Sequence, residues 1–165
     1  MTYDEQFMRR AVELSRRALN EPGTEPFGAV VVKDGHIVGE GLNHSRAQWD
    51  PTSHGEVEAI RDACRRLKCV DLSEAQLYTS CEPCAMCVAT MEVAGISRLY
   101  YASSMAEASV AFSSLTKDER HPIDVERVRN AAGSLLKDRD MPAEQHMGTE
   151  AVQILEAWIR MKKGG

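Results

Sequence analysis

The sequence has no basic amino-terminal segment leading into an apolar core of the kind that directs secretion. Nor does any apolar run approach the ~20 residues that a bilayer-spanning helix needs. A soluble, cytoplasmic protein with no membrane partner is the expectation. Positive charge is not in excess either: 20 lysines and arginines against 25 acidic residues leave a net charge of −5. A polyanion would meet net repulsion, because neutralising phosphates supplies most of the affinity for nucleic acid. Arg9, Arg10, Arg16 and Arg17 are read as the solvated face of a first amphipathic helix. There is no internal repeat, no low-complexity tract and no composition break that would mark a linker. At 165 residues, 43% of them hydrophobic, the chain is expected to fold as one domain over residues 1–165, with one core and one active site.

Five cysteines are an odd number, and in a reducing compartment they argue against a disulfide framework. Metal binding, redox chemistry and plain burial remain as their uses. Cys64 and Cys69 are read as ordinary buried cysteines. The other three fall within seven residues, in Thr79-Ser80-Cys81-Glu82-Pro83-Cys84-Ala85-Met86-Cys87.

Around that cluster the sequence alternates strand and helix signals. Thr2-x-x-Glu5 has the form of a capping box before a helix with a buried stripe of Phe7, Met8, Ala11, Val12, Leu14, Ala18 and Leu19, ended by Asn20 to Glu25. Two β-rich runs, Phe27 to Lys33 and His36 to Gly41, flank Asp34-Gly35, a dipeptide suited to a type I′ hairpin turn. Asp50-Pro51 is read as the opening of a helix that runs to about Leu67. A strand at Gln76 to Thr79 leads to the cysteines, Glu82-Pro83 starts a helix that stops near Gly95, and Arg98 to Ala102 is another strand. Helices are expected at Ser104 to Leu115, Pro122 to Lys137 and Thr149 to Lys162, the last with Val152, Leu155, Trp158 and Ile159 available for packing. This alternation implies an α/β fold with a mostly parallel or mixed sheet covered by helices.

Cys84 and Cys87, three apart at a helix start, project from one face and can reach a single ion. The partial positive charge of a helix amino terminus favours the thiolate that a metal needs. A CxxC pair alone is equally a redox dithiol or a buried pair. His54-Gly55-Glu56 stands at the start of a second helix, however, and one imidazole with two thiolates suits a tetrahedral zinc whose fourth corner is left to water. Cys81, just outside its helix, is either a fourth, closing ligand or a wall of the pocket. Glu56 can serve the same ion only if that ion lies beyond the helix end, since residues two apart point to opposite sides of a helix. It would then act on the bound water as general base, and zinc would lower the pKa of that water toward ~7. Attack of the resulting hydroxide on an amino-substituted ring, with release of ammonia, is hydrolytic deamination.

His54-x-Glu56 followed by Pro83-Cys84-x-x-Cys87 resembles the signature of the cytidine and deoxycytidylate deaminase superfamily, the zinc nucleobase deaminases. Pro26-Phe27-Gly28-Ala29-Val30, Asp50-Pro51-Thr52-x-His54-x-Glu56-Val57 and Tyr78 to Cys87 look most like its bacterial guanine deaminase-like, free-base subgroup. The resemblance implies a three-layer α/β/α sandwich around a five-stranded mixed sheet, zinc as cofactor held by His54, Cys84 and Cys87, catalysis by Glu56, and a homodimer. It further implies substrate contacts from Asn43, Phe27, Ser80 and Cys81, with Glu150 as a second proton shuttle. Ala111-Phe112-Ser113-Ser114 stands where guanine deaminases place an acidic reader of the guanine amidine edge. The expected substrate is therefore the wider class of guanine-like purines, isoguanine, cytosine-like rings and aminotriazines. The alternatives are a tRNA-specific adenosine deaminase, which needs a cationic surface for an anticodon loop, and a non-catalytic zinc module closed by a fourth protein ligand.

Overall fold

The computed structural model describes residues 2–120 and 123–163, which divide into two compact units, residues 1–132 and 133–165. The first unit opens with helix α1 (Glu5–Arg16), whose N-cap is Asp4, its side chain accepting from the Gln6 amide at 3.0 Å. Thr2 therefore does not cap it as the sequence suggested, because Asp4 is the acceptor immediately before the first helical residue. Strands β1 (Glu25–Lys33) and β2 (His36–Asn43) follow as the expected hairpin. Asp34 and Gly35 both take positive φ, 52° and 76°, as a type I′ turn demands.

Helix α2 (Gly55–Leu67) begins later than Asp50-Pro51 implied. The Asp50 carboxylate accepts from both the amide and the hydroxyl of Thr52, at 2.8 and 2.7 Å, so it closes a turn ahead of the helix. Strand β3 (Gln76–Cys81), helix α3 (Ala85–Ala94, ended by Gly95 at φ 80°) and strand β4 (Arg98–Ser103) complete a β-α-β unit in which β3 and β4 run parallel. Helix α4 (Met105–Phe112) carries a capping box between Ser104 and Glu107. Of the helix expected from Pro122, that residue lies outside the described ones, and the described part forms α5 (Val125–Gly133) and a short 3-10 turn at Leu136–Asp138.

The sheet is mixed, in the order β2-β1-β3-β4, with β1 antiparallel to both its neighbours. It has four strands among the described residues, where five were expected. Past β4 every described element is helical, since the chain beyond Ser103 offers no further β-rich run with period-2 alternation. Alternate residues of β1 serve two cores. Val30 and Val32 meet Phe7, Ala11, Leu14 and Tyr78 on the α1 side. Ala29 and Val31 meet Val57, Ile60, Leu77 and Met91 on the α2 and α3 side. The result is a layer of helix, a sheet and a second helical layer.

Two glycines let α2 approach the sheet closely enough to aim its amino terminus. A Cβ on Gly41 would lie 2.1 Å from the Gly55 carbonyl oxygen, and one on Gly55 would lie 2.3 Å from that of Phe27. Cys69, expected to be buried, is exposed, because it follows Lys68, whose left-handed backbone (φ 52°) turns the chain away at the end of α2. Cys64 is half-buried at the core edge.

The second unit carries α6 (Gly148–Lys163). Val152, Leu155, Trp158 and Ile159, which the sequence offered for packing, are exposed, and Lys162 Nζ lies 5.4 Å from the Trp158 ring centroid. No helix among the described residues is long and apolar enough to cross a membrane.

Candidate active site

Two strand-to-helix junctions meet at one end of the sheet. His54 is the N-cap of α2 and Cys84 the N-cap of α3, both with extended backbone, and Cys87 lies in the first turn of α3. Their ligand atoms converge. His54 Nδ1 is 3.6 Å from Cys84 Sγ and 3.4 Å from Cys87 Sγ, and the two sulfurs are 3.7 Å apart. These separations suit one zinc ion. With Zn–S near 2.3 Å and Zn–N near 2.0–2.1 Å, tetrahedral ligands stand about 3.6–3.8 Å from one another. His54, Cys84 and Cys87 could therefore hold a metal, and they form the one such group of three or more among the described residues. Cys81 does not join it: buried, it lines the neighbouring cavity, so three side chains and not four converge.

The electrostatics follow from this crowding. The Cys84 thiol is lowered to about 4, chiefly by its hydrogen bond with Cys87 and with help from His54, against the cost of burial. The shared bond with Cys84 and burial push the Cys87 thiol up. His54 is raised above the usual imidazole value, first by its bond to the Cys84 sulfur, with burial opposing. Burial pushes the Cys81 thiol up, which keeps it neutral.

Glu56 sits in the first turn of α2, 5% exposed. Its Oε1 accepts from the Thr79 hydroxyl at 3.2 Å, and its Oε2 is 3.5 Å from Cys87 Sγ. Desolvation raises the Glu56 carboxyl above its ordinary value. The carboxylate and the imidazole reach one locality because both act from the end of α2, beyond its first turn. Thr79, fully buried on β3, was not singled out from the sequence. Its signal was available: two residues along β3 from Leu77, it shares the face of the sheet that packs against α2.

A cavity of about 390 Å³, large enough for a bicyclic ring, opens onto His54, Cys84 and Glu56. Asn43, 3% exposed at the end of β2, lines it, and its Oδ1 accepts from the Ser45 amide at 3.0 Å and the Ser45 hydroxyl at 2.8 Å. Phe27 lines it too, half-buried, its ring 5.7 Å from that of Phe112. The register of the hairpin slips between Glu25 and Gly28, a bulge that turns Phe27 out of the ladder at the cavity end of β1. Ser80 is not among the described residues that line the cavity. Its hydroxyl accepts instead from the Gly28 amide at 3.0 Å, joining β3 to β1. Glu150 lies in the first turn of α6, in the second unit, and is exposed. Phe112 and Ser113, from the segment that the sequence set at the substrate edge, line the cavity, whereas Glu82 and Arg120 line it without having been anticipated.

Guanine deaminase of Bacillus subtilis is 38% identical to this chain over 154 residues, covering 93% of the chain and 92% of the relative. The X-ray structure of guanine deaminase from the same organism superposes with a TM-score of 0.80 at 35% identity, covering 96% of this chain and 95% of that one. The tRNA-specific adenosine deaminase of Aquifex aeolicus is 36% identical over 99 residues, which is 60% of this chain and 65% of that protein. Residues 1–103, which contain the whole His54, Glu56, Cys84 and Cys87 constellation, match the cytidine and deoxycytidylate deaminase zinc-binding region. The chain belongs to the cytidine and deoxycytidylate deaminase family.

Proposed function

We propose that the protein is a zinc-dependent hydrolytic deaminase of a small amino-substituted heterocyclic base, a guanine-like purine or a related isoguanine, cytosine-like or aminotriazine ring. The observation that carries this reading is the three-ligand cluster with a buried carboxylate beside it, facing a cavity of base-sized volume. Similarity to guanine deaminase over nearly the whole chain supports a free base, whereas the tRNA-specific relative is matched over 60% of it.

His54, Cys84 and Cys87 would hold the zinc, which supplies Lewis acidity that makes water nucleophilic at neutral pH. The chain's own groups do the rest. Asn43 and the Phe27 and Phe112 rings orient the base. Glu56, held by Thr79, accepts a proton from the attacking water and delivers it to the departing amine. The water oxygen bonds to the ring carbon, the carbon–nitrogen bond breaks, and ammonia leaves, with no change of oxidation state. Burial of Glu56 keeps bulk water from its carboxylate and strengthens its interactions. Cytoplasmic location and action as a homodimer complete the proposal. They rest on the resemblance to the family, and sedimentation of the purified protein tests the dimer.

Ammonia release from a panel of purine, pyrimidine, pterin and triazine amines tests the function. Turnover of at least one ring is expected, and none with any amine on the zinc-loaded protein would overturn it. A titration with tRNA at physiological salt tests the choice of free base. The net charge of −5 predicts weak binding, and tight binding would favour the tRNA reading.

A further inference from the structure

The cavity carries a guanidinium for which the deaminase chemistry has no use. Arg120 follows the turn after α4 and lines the same cavity as His54 and Glu56. Its Nε donates to Glu25 Oε2 at 2.9 Å, with both side chains largely shielded, at 25% and 15% exposure. Its guanidinium carbon lies 4.4 Å from the Phe112 ring centroid and 5.6 Å from that of Phe27. A cation over two aromatic faces, tethered at Nε, is held in place before any ligand arrives. The tether engages one of the five N–H donors that a guanidinium possesses.

Asn43 has the same polarity. Both lone pairs of Asn43 Oδ1 are taken by Ser45, so what this carboxamide offers the cavity is its amide N–H donors. Glu82, which also lines the cavity, has its Oε2 engaged by the Met105 amide at 2.8 Å and keeps Oε1 as an acceptor. Arg120 and Asn43 are therefore the donors that the cavity offers a ring edge, and Arg120 is the cationic one.

We propose that Arg120 is a specificity-determining residue that selects planar rings bearing a carboxylate on the edge it meets. The proposal rests on the deaminase reading for its chemistry, which would place the scissile amine at the His54 and Glu56 end of the cavity and the acceptor oxygen on Arg120. A charge-assisted hydrogen bond from guanidinium to oxygen would favour such a substrate over one presenting N–H donors at that edge.

Calorimetry on the zinc-loaded full-length protein, with two rings that lack an exocyclic amine and so cannot turn over, isolates this contact. Orotate carries a ring carboxylate, and uracil is the same ring without it. Orotate is expected to bind at least tenfold more tightly than uracil. Arg120→Met should collapse that ratio to within about twofold, while Arg120→Lys, which keeps the charge, should retain part of it. An unchanged ratio in Arg120→Met, or an equal weakening of both ligands, would mean that Arg120 only braces the fold. A ratio below threefold in the unaltered protein overturns the proposal without any variant. Failure of every amine to release ammonia, with the orotate preference intact, would instead remove the deaminase reading and leave the selectivity standing.

Discussion

Replacing Glu56 by glutamine is the sharpest perturbation of the proposed chemistry, because it exchanges one oxygen for an NH₂ at nearly constant volume. The amide cannot accept the proton of the attacking water. General acid–base catalysis by a positioned side chain contributes about 10²–10⁴-fold, so kcat should fall by that factor, or about 2.7–5.5 kcal/mol of barrier. Zinc content should be unchanged, since Glu56 is not among the three converging ligands. Stability should move the other way in the metal-free protein. The Glu56 carboxyl is raised in the fold by desolvation. An acid whose folded pKa exceeds its unfolded value weakens the fold once it ionises, so the penalty is absent below the unfolded pKa and grows as pH rises through the folded one. At pH 7 glutamine removes that penalty and retains a carbonyl to accept from Thr79. Ammonia release, zinc stoichiometry and thermal unfolding of the metal-free protein at pH 5 and 7 report the three quantities. Undiminished turnover would remove Glu56 from the mechanism, and a metal-free variant less stable at pH 7 than the parent would refute the burial argument.

Cys87→Ala should lose bound zinc, measurable by elemental analysis, and destabilise the fold by about 1–2 kcal/mol even without metal, because the buried sulfur also fills the core beneath α3. Full zinc retention would show the ligand set to be wrong. Gly41→Ala forces a methyl group against the backbone of Gly55 and Ala59 and should cost about 3 kcal/mol in denaturant titration; a loss below about 0.5 kcal/mol would mean that α2 does not sit this close to β2. Arg10 grips Glu40 through two bonds of 2.7 and 2.8 Å and holds its carboxyl below the usual range. This pair therefore contributes stability above the unfolded carboxylate pKa and loses it as pH falls through the folded one. With Arg10 40% exposed, screening limits the contribution to about 1 kcal/mol or less. Glu40→Gln should lower the unfolding midpoint at pH 7, and the difference from the parent should shrink as pH falls through the folded pKa of Glu40.

The neighbours of these side chains show how the fold manages a buried carboxylate beside two sulfurs. Thr79 fixes Glu56 from the sheet, and the amino termini of two helices face the two sulfurs, where their unpaired amides favour negative charge. Each device comes from a different layer, which is why the centre lies where the layers meet.

What the sequence by itself determined were the features that depend on neighbours in the chain. Asp34-Gly35 set the hairpin turn, Gly95 ended α3, and the spacing of Cys84 and Cys87 placed two sulfurs on one helical face, because turn geometry and helical period act over a few residues. The candidate ligands were legible for the same reason, as two short motifs of metal-binding residue types. Only the tertiary structure decided that His54, 30 residues from Cys84, would meet it at 3.6 Å. That meeting depends on glycines thin enough for α2 to rest on β1 and β2, and on the strand order that sets β3 beside β1. The same long-range packing left Cys69 exposed, kept the Ser80 hydroxyl on the Gly28 amide, limited the described sheet to four strands, and brought Phe112 and Arg120 to the cavity from a segment without periodicity. Local physics chose the reacting groups, whereas burial and close approach between distant elements chose what surrounds them.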